Sequence, residues 1–140
     1  MGEGEEKNYI EEIIKKLSLT DSVFLQGFEN NVFNYLNNAK CLVMPSLYEN
    51  PGHVLIEAAA CNCPIISSDC PTGPREILKN GKLGMLFLPK DEKSLANKIL
   101  KYKSNKRKYN NIALNAYNSL GRFDYRSNCE KYYKIIKKYI

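Results

Sequence analysis

Apolar positions in this chain follow two patterns, short unbroken runs and longer stretches spaced three and four residues apart. Four runs, "VFLQ" (23–26), "CLVMP" (41–45), "PIISS" (64–68) and "MLFLP" (85–89), lack polar alternation. That pattern predicts strands covered on both faces. Between them the spacing turns helical. "NYIEEIIKKL" places Ile10, Ile13, Ile14 and Leu17 on one face, "VFNYLNNA" offers Val32, Phe33 and Leu36, and "HVLIEAAAC" is apolar nearly all round. Asp91 followed by Ser94 reads as the start of a helix running to about Tyr102, and Asp124 as the N-cap of a helix reaching the C-terminus. In that last helix Tyr132, Ile136 and Tyr139 share a face with Ile135 beside them, while Lys131, Lys134 and Lys138 line a neighbouring strip. Strand and helix alternate, which predicts a Rossmann-like, doubly wound α/β sheet, mainly parallel. The expected organisation is a ligand-binding domain over residues 1–124 and a basic amphipathic helix of the same domain over 125–140.

Length and composition narrow the class. At 140 residues with 44% hydrophobic content, the chain suits one globular domain with a single core. No apolar run approaches the roughly 20 residues of a membrane-spanning helix. The opening "MGEGEEKNYIEE" is acidic, unlike a secretory signal. Five cysteines, an odd number without repeated CxxC spacing, read as small buried thiols of a reducing cytoplasm rather than a metal site.

Charge is uneven. Residues 1–97 carry 9 Lys and Arg against 13 Asp and Glu, net −4, whereas residues 98–140 carry 12 against 2, net +10. A basic end of this kind points to an acidic partner surface or to a solvated helix face. Zinc spacing, RNP-like patterns and base-reading basic helices do not occur, so nucleic acid is not an expected partner.

The chemistry concentrates in "YENPGHVLIEAAACNCPIISSD", residues 48–69. Glu57 interrupts an otherwise apolar helix, where a carboxylate is costly unless it meets partners or a ligand. Glu49 stands eight residues earlier, just before Asn50, Pro51 and Gly52. In an open α/β sheet, ligands gather at the carboxyl ends of strands beside the helix starts that follow. A helix beginning near Gly52 and His53 offers free N–H groups and a positive dipole end to a phosphate. Glu57 would then sit four residues, roughly 6 Å, inside that helix. Carboxylates repel phosphates but accept hydrogen bonds from hydroxyls. A ligand with a central diphosphate and hydroxyl-rich rings at both ends fits, as a nucleotide sugar does. NAD, another dinucleotide or a sugar phosphate would meet the same demands.

The ordered set "PSLYE", "EAAAC", "CPIISSD" and "GPREIL", with Glu49 and Glu57 eight apart, resembles the Glu-x7-Glu region of the retaining GT-B glycosyltransferases of family GT4. The resemblance is specific from about Val23 to Leu100. It implies that Glu57 binds the donor ribose and that Glu49, the catalytic position, holds the donor hexose near the reacting carbon. It places Asn50 and the backbone amides of Gly52, His53 and Val54 near the sugar and diphosphate, and Thr72 and Gly73 on a loop closing over the donor. It further implies transfer with retention from a nucleoside-diphosphate hexose or N-acetylhexosamine, UDP-sugar favoured, with no metal and no resident cofactor. The acceptor would be a glycan or lipid-linked glycan, held by an N-terminal domain outside this chain. The setting would be cytoplasmic, with peripheral contact at the inner membrane face.

Two departures stand out. Many relatives carry Gly-Phe-Gly where this chain has Asn50-Pro51-Gly52, and Pro51 lacks an N–H. The early segment bearing an Arg and a Lys for the diphosphate is also missing, leaving Arg75 as the basic residue near the loop. The isolated chain is therefore expected to turn over little. The rivals are another enzyme on the same layout, which would need a Gly-rich strand–turn–helix fingerprint, and a non-catalytic nucleotide-binding or assembly module of the same fold.

Overall fold

A computed structural model describes residues 2–140. The chain divides into two compact units, one ending at Val32 and one running from Phe33 to Ile140. The second holds a three-stranded sheet of β1 (Leu42–Met44), β2 (Ile65–Ser68) and β3 (Met85–Phe87). The order is β1-β2-β3 and both pairings are parallel. Register sets Val43 beside Ile66 and Ile66 beside Met85. These three therefore share one face, while Ile65 and Ser67 point to the other.

All four residues of β2 are buried, as expected of a central parallel strand. Its two serines are tolerated there because each hydroxyl finds a carbonyl. Ser67 Oγ donates to Ser68 O at 2.9 Å, and Ser68 Oγ donates to Ser46 O at 2.5 Å.

Helices supply the crossovers and the cover. A short helix, α2 (Phe33–Leu36), precedes β1 and buries Leu36. Between β1 and β2 runs α3 (His53–Ala60), which buries Leu55, Ala58 and Ala59. Between β2 and β3 lies the one-turn α4 (Pro74–Ile77), begun by Pro74 at its first position, where the lost N–H costs nothing.

After β3 comes α5 (Glu92–Ser104), capped as the sequence predicts: an Asp91 side-chain oxygen accepts from Ser94 N–H at 2.8 Å. Leu95, Ile99 and Tyr102 of α5 pack on Val43, Ile66, Met85 and Phe87, and Tyr109 joins them. The Tyr102 hydroxyl escapes isolation by donating to Lys40 O at 2.5 Å. The chain continues through α6 (Lys106–Asn118), a 3-10 turn (Leu120–Phe123) and α7 (Tyr125–Ile136). α6, α4 and the 3-10 turn are elements that the apolar pattern did not disclose.

In the first unit, α1 (Lys7–Lys16) forms where predicted, although Ile14 alone among its apolar residues is buried. The expected strand at residues 23–26 does not form. A strand needs a neighbour to exchange N–H and C=O bonds, and the described residues of this unit contain no ladder. Val23 N–H turns back to Leu19 O at 2.9 Å, and Phe24 is 72% exposed.

Cysteine burial is mixed rather than uniform. Cys63 and Cys70 are buried, Cys41 and Cys61 are half-buried, and Cys129 is exposed, all with free thiols. Burial, reinforced by neighbouring Cys41, pushes the Cys63 thiol up to about 11, which keeps it protonated and unreactive.

Candidate functional site

The carboxyl ends of β1 and β2 carry two loops, 45–52 and 69–73, and the candidate residues sit on these loops and on α3. Glu49 is half-buried and held at both ends. Its carboxylate accepts from Ser46 Oγ at 2.5 Å, and its main-chain carbonyl accepts from Thr72 Oγ1 in the second loop. Ser46 O in turn accepts from Ser68 Oγ at 2.5 Å, so the last residue of β2 anchors the exit of β1. Ser46 and Ser68 therefore belong to the site although sequence reasoning passed over them. The one signal for Ser46 is its hydroxyl three residues before Glu49.

Glycine is needed where the loops touch. Gly73 has φ +98°, and a Cβ there would lie 1.8 Å from Pro51 O, inside any allowed contact. Only a residue without a side chain lets the second loop lie on Pro51. Gly52, with φ +86°, is the N-cap of α3, and a Cβ there would stand 3.6 Å from Glu49 Oε2. The glycine thus leaves open space beside that carboxylate oxygen.

No side chain caps α3. Leu55 N–H bonds Gly52 O at 3.0 Å, while the N–H groups of His53 and Val54 precede the first intrahelical acceptor. An uncapped helix start beside an open loop is a place for anion oxygens. Asn50 and the His53 side chain are exposed at this rim, and Val54 is half-buried.

Glu57, one turn into α3, is half-buried. Among the described residues its carboxylate has neither a hydrogen-bond donor nor a cationic partner, in contrast to Glu49. Its only recorded electrostatic effect is to add to the raising of the Cys61 thiol, which burial dominates.

Arg75 is committed elsewhere. Its Nε donates to Asp69 Oδ1 at 2.9 Å and its Nη2 pairs with Asp69 Oδ2, a bidentate clamp across the second loop. The Asp69 carboxylate raises the Arg75 guanidinium further above its ordinary range. Arg75 is not alone in being basic near this loop. A cavity of about 600 Å³ beside Thr72 and Gly73 is lined by Arg75, Lys79 and Lys82 as well. The structure thus brings Glu49, Gly52, Thr72 and Gly73 into one cluster, with Asn50, His53, Val54 and Glu57 on its α3 side.

Comparison with known proteins follows the same lines. The family described as glycosyl transferases group 1 matches residues 1–119. An uncharacterised glycosyltransferase of Methanocaldococcus jannaschii is 47% identical over 78 residues, which is 56% of this chain and 19% of that protein. The N-acetylgalactosamine-N,N'-diacetylbacillosaminyl-diphospho-undecaprenol 4-alpha-N-acetylgalactosaminyltransferase of Campylobacter jejuni is 34% identical over 95 residues, 68% of this chain and 26% of that protein. Among solved structures, Anabaena HepE in complex with UDP superposes with a TM-score of 0.85 at 25% identity, covering 98% of this chain and 39% of that one. The chain spans between 19% and 26% of the length of these two curated relatives. It belongs to the glycosyl transferases group 1 family.

Proposed function

We propose, from that membership, that the chain is the donor-binding part of a sugar-transferring enzyme. It would bind a nucleoside-diphosphate hexose or N-acetylhexosamine across the start of α3, with the sugar passing to a glycan or lipid-linked glycan. The observation that carries this reading is the unpartnered Glu57 carboxylate, one turn inside an uncapped helix whose other flank holds Glu49. A half-buried carboxylate that no protein donor or cation occupies keeps its oxygens free to accept from a ligand. The two hydroxyls of a ribose would supply what it lacks, and the His53 and Val54 N–H groups would take diphosphate oxygens. Uracil is the favoured base, because the HepE neighbour is complexed with UDP.

In this reading Glu49 does not attack the sugar. Ser46 and the Thr72 clasp hold it in one orientation, so it would act by position and charge on an oxocarbenium-like centre, with retention and without a metal. Thr72 and Gly73 would close over the donor. Transfer by these 140 residues alone would be weak or absent.

Titration of UDP, GDP, ADP and NAD by calorimetry tests the donor site. The expectation is selective binding of one nucleoside diphosphate, weakened by about 10- to 100-fold in Glu57→Ala, the scale of losing hydrogen bonds to a charged acceptor. Unchanged affinity in that variant would remove the proposed role of Glu57. Preference for NAD would point to a different enzyme on the same layout, and binding of no nucleotide would favour an assembly module.

A further inference from the structure

The loop that clasps Glu49 is steadied from behind by an arginine far along the chain. α4 is a single turn, too short to be stable through its own hydrogen bonds. At its front stand the two residues that lock the candidate site. Thr72 donates its hydroxyl to Glu49 O, and Gly73 lies on Pro51 O. Two clamps hold that turn. At the front, Arg75 pairs with Asp69. At the rear, Arg122 of the 3-10 turn reaches back, its Nη1 donating to Glu76 O at 3.2 Å and its Nη2 to Ile77 O. These carbonyls close α4, at the end of a helix where intrahelical donors run out.

Direction rather than charge pairing explains Arg122. Among the described residues it forms no ion pair, and its Nε is buried without a partner. Burial lowers the guanidinium from its ordinary value, against the opposing pull of the Glu76 carboxylate, but it stays a cation. Even partial burial of a cation without an anion costs stability. What Arg122 gains is the two carbonyls of α4 and the Phe123 ring, whose centroid lies 4.4 Å from the guanidinium carbon. Asn128 Nδ2 donates to Arg122 O at 3.0 Å and fixes the backbone from which the side chain springs. A lysine ammonium is a point charge and lacks the planar fork that meets two carbonyls in fixed directions.

We propose that Arg122 is a positioning residue for the sugar end of the donor site, acting through α4 on Thr72 and so on Glu49. This rests on the donor-binding reading above. Glu57 and the first N–H groups of α3 lie off that path, since Leu55 N–H bonds Gly52 O within the helix start itself. Loss of the fork should therefore weaken a nucleotide sugar and spare the nucleotide. The test compares Arg122→Gln and Arg122→Lys with the unaltered chain in two measurements. In amide hydrogen exchange, Ile77 and Leu78, bonded to Gly73 O and Pro74 O, should exchange about tenfold faster, while Leu55 and Ile66 keep their rates. In calorimetry, UDP-glucose or UDP-N-acetylglucosamine, whichever binds the unaltered chain more tightly, should lose about tenfold in affinity, the scale of one hydrogen bond from a charged donor. UDP should lose none. Unchanged exchange at Ile77 and Leu78 would overturn the clamp. Equal loss for UDP and the UDP-sugar, or a UDP-sugar that binds both variants as well as the unaltered chain, would overturn the positioning role. No binding of UDP to the unaltered chain would sink the donor reading, and this role with it.

Discussion

Gly73 shows how narrowly the two loops are fitted. Its φ of +98° is strained for any other residue, and the clash of a Cβ with Pro51 O involves backbone that cannot swing aside. Gly73→Ala should destabilise the chain by at least about 1–3 kcal/mol from the backbone conformation alone. Gly121→Ala, where a Cβ meets nothing within 4 Å, should stay within about 0.5 kcal/mol of wild type. Thermal melts of the two variants compare them directly, and equal melting temperatures would contradict the fit described. At this scale Glu57 was legible because a charged residue amid apolar neighbours stands out, and Glu49 through its spacing of eight residues from it. Ser46 and Ser68 were not, since their partnership spans 22 positions and depends on β1 and β2 lying side by side. Arg75 was visible as a basic residue, but its commitment to Asp69 depends on how the second loop turns.

The elements that could be read were those with both a period and a punctuation mark. α5 and α7 each start at an aspartate whose carboxylate accepts the N–H three residues on. β1, β2 and β3 appear within the predicted apolar runs, shortened at their ends, where pairing stops before hydrophobicity does. The run at 23–26 has the same composition and is not a strand, because hydrophobicity reports burial and a strand also requires a neighbour. α6 went unread although Asn105 caps it, its Oδ1 accepting from Lys108 N–H at 3.1 Å. Only Ala113 and Ala116 are buried on that helix, and small residues make a faint stripe.

The cap of α7 also sets a pH dependence. Ser127, through its backbone N–H and then its hydroxyl, holds the Asp124 carboxyl below its ordinary value. A carboxylate with a lowered folded-state value stabilises above its unfolded value, and that contribution is lost as pH falls through the folded one. Helix content by circular dichroism should therefore drop at the acid end of the carboxylate range. Asp124→Asn, which keeps an acceptor that does not titrate, should flatten that step. An identical acid profile in the variant would show that the cap is not the group responsible.

At the scale of the whole molecule, charge is split between two stretches of opposite sign. The candidate site residues lie in a stretch of net −4, and α7 in a stretch of net +10. A nucleotide at the candidate site would meet uncapped backbone N–H groups beside carboxylates that favour hydroxyls. The family was legible in the sequence because the site residues recur in a fixed order along the crossovers of one sheet. How the site is locked was not, because the Thr72–Glu49 and Ser68–Ser46 bonds join loops distant in sequence.

The central claim is that a nucleoside diphosphate binds at the start of α3 with Glu57 on its ribose. The most direct measurement is an amide ¹H–¹⁵N titration of the chain with UDP. The account predicts that the largest shifts fall on Gly52, His53 and Val54, with Thr72 and Gly73 following, and that Glu57→Ala removes them without unfolding the domain. Shifts centred on another surface, or a pattern unchanged in Glu57→Ala, would contradict it.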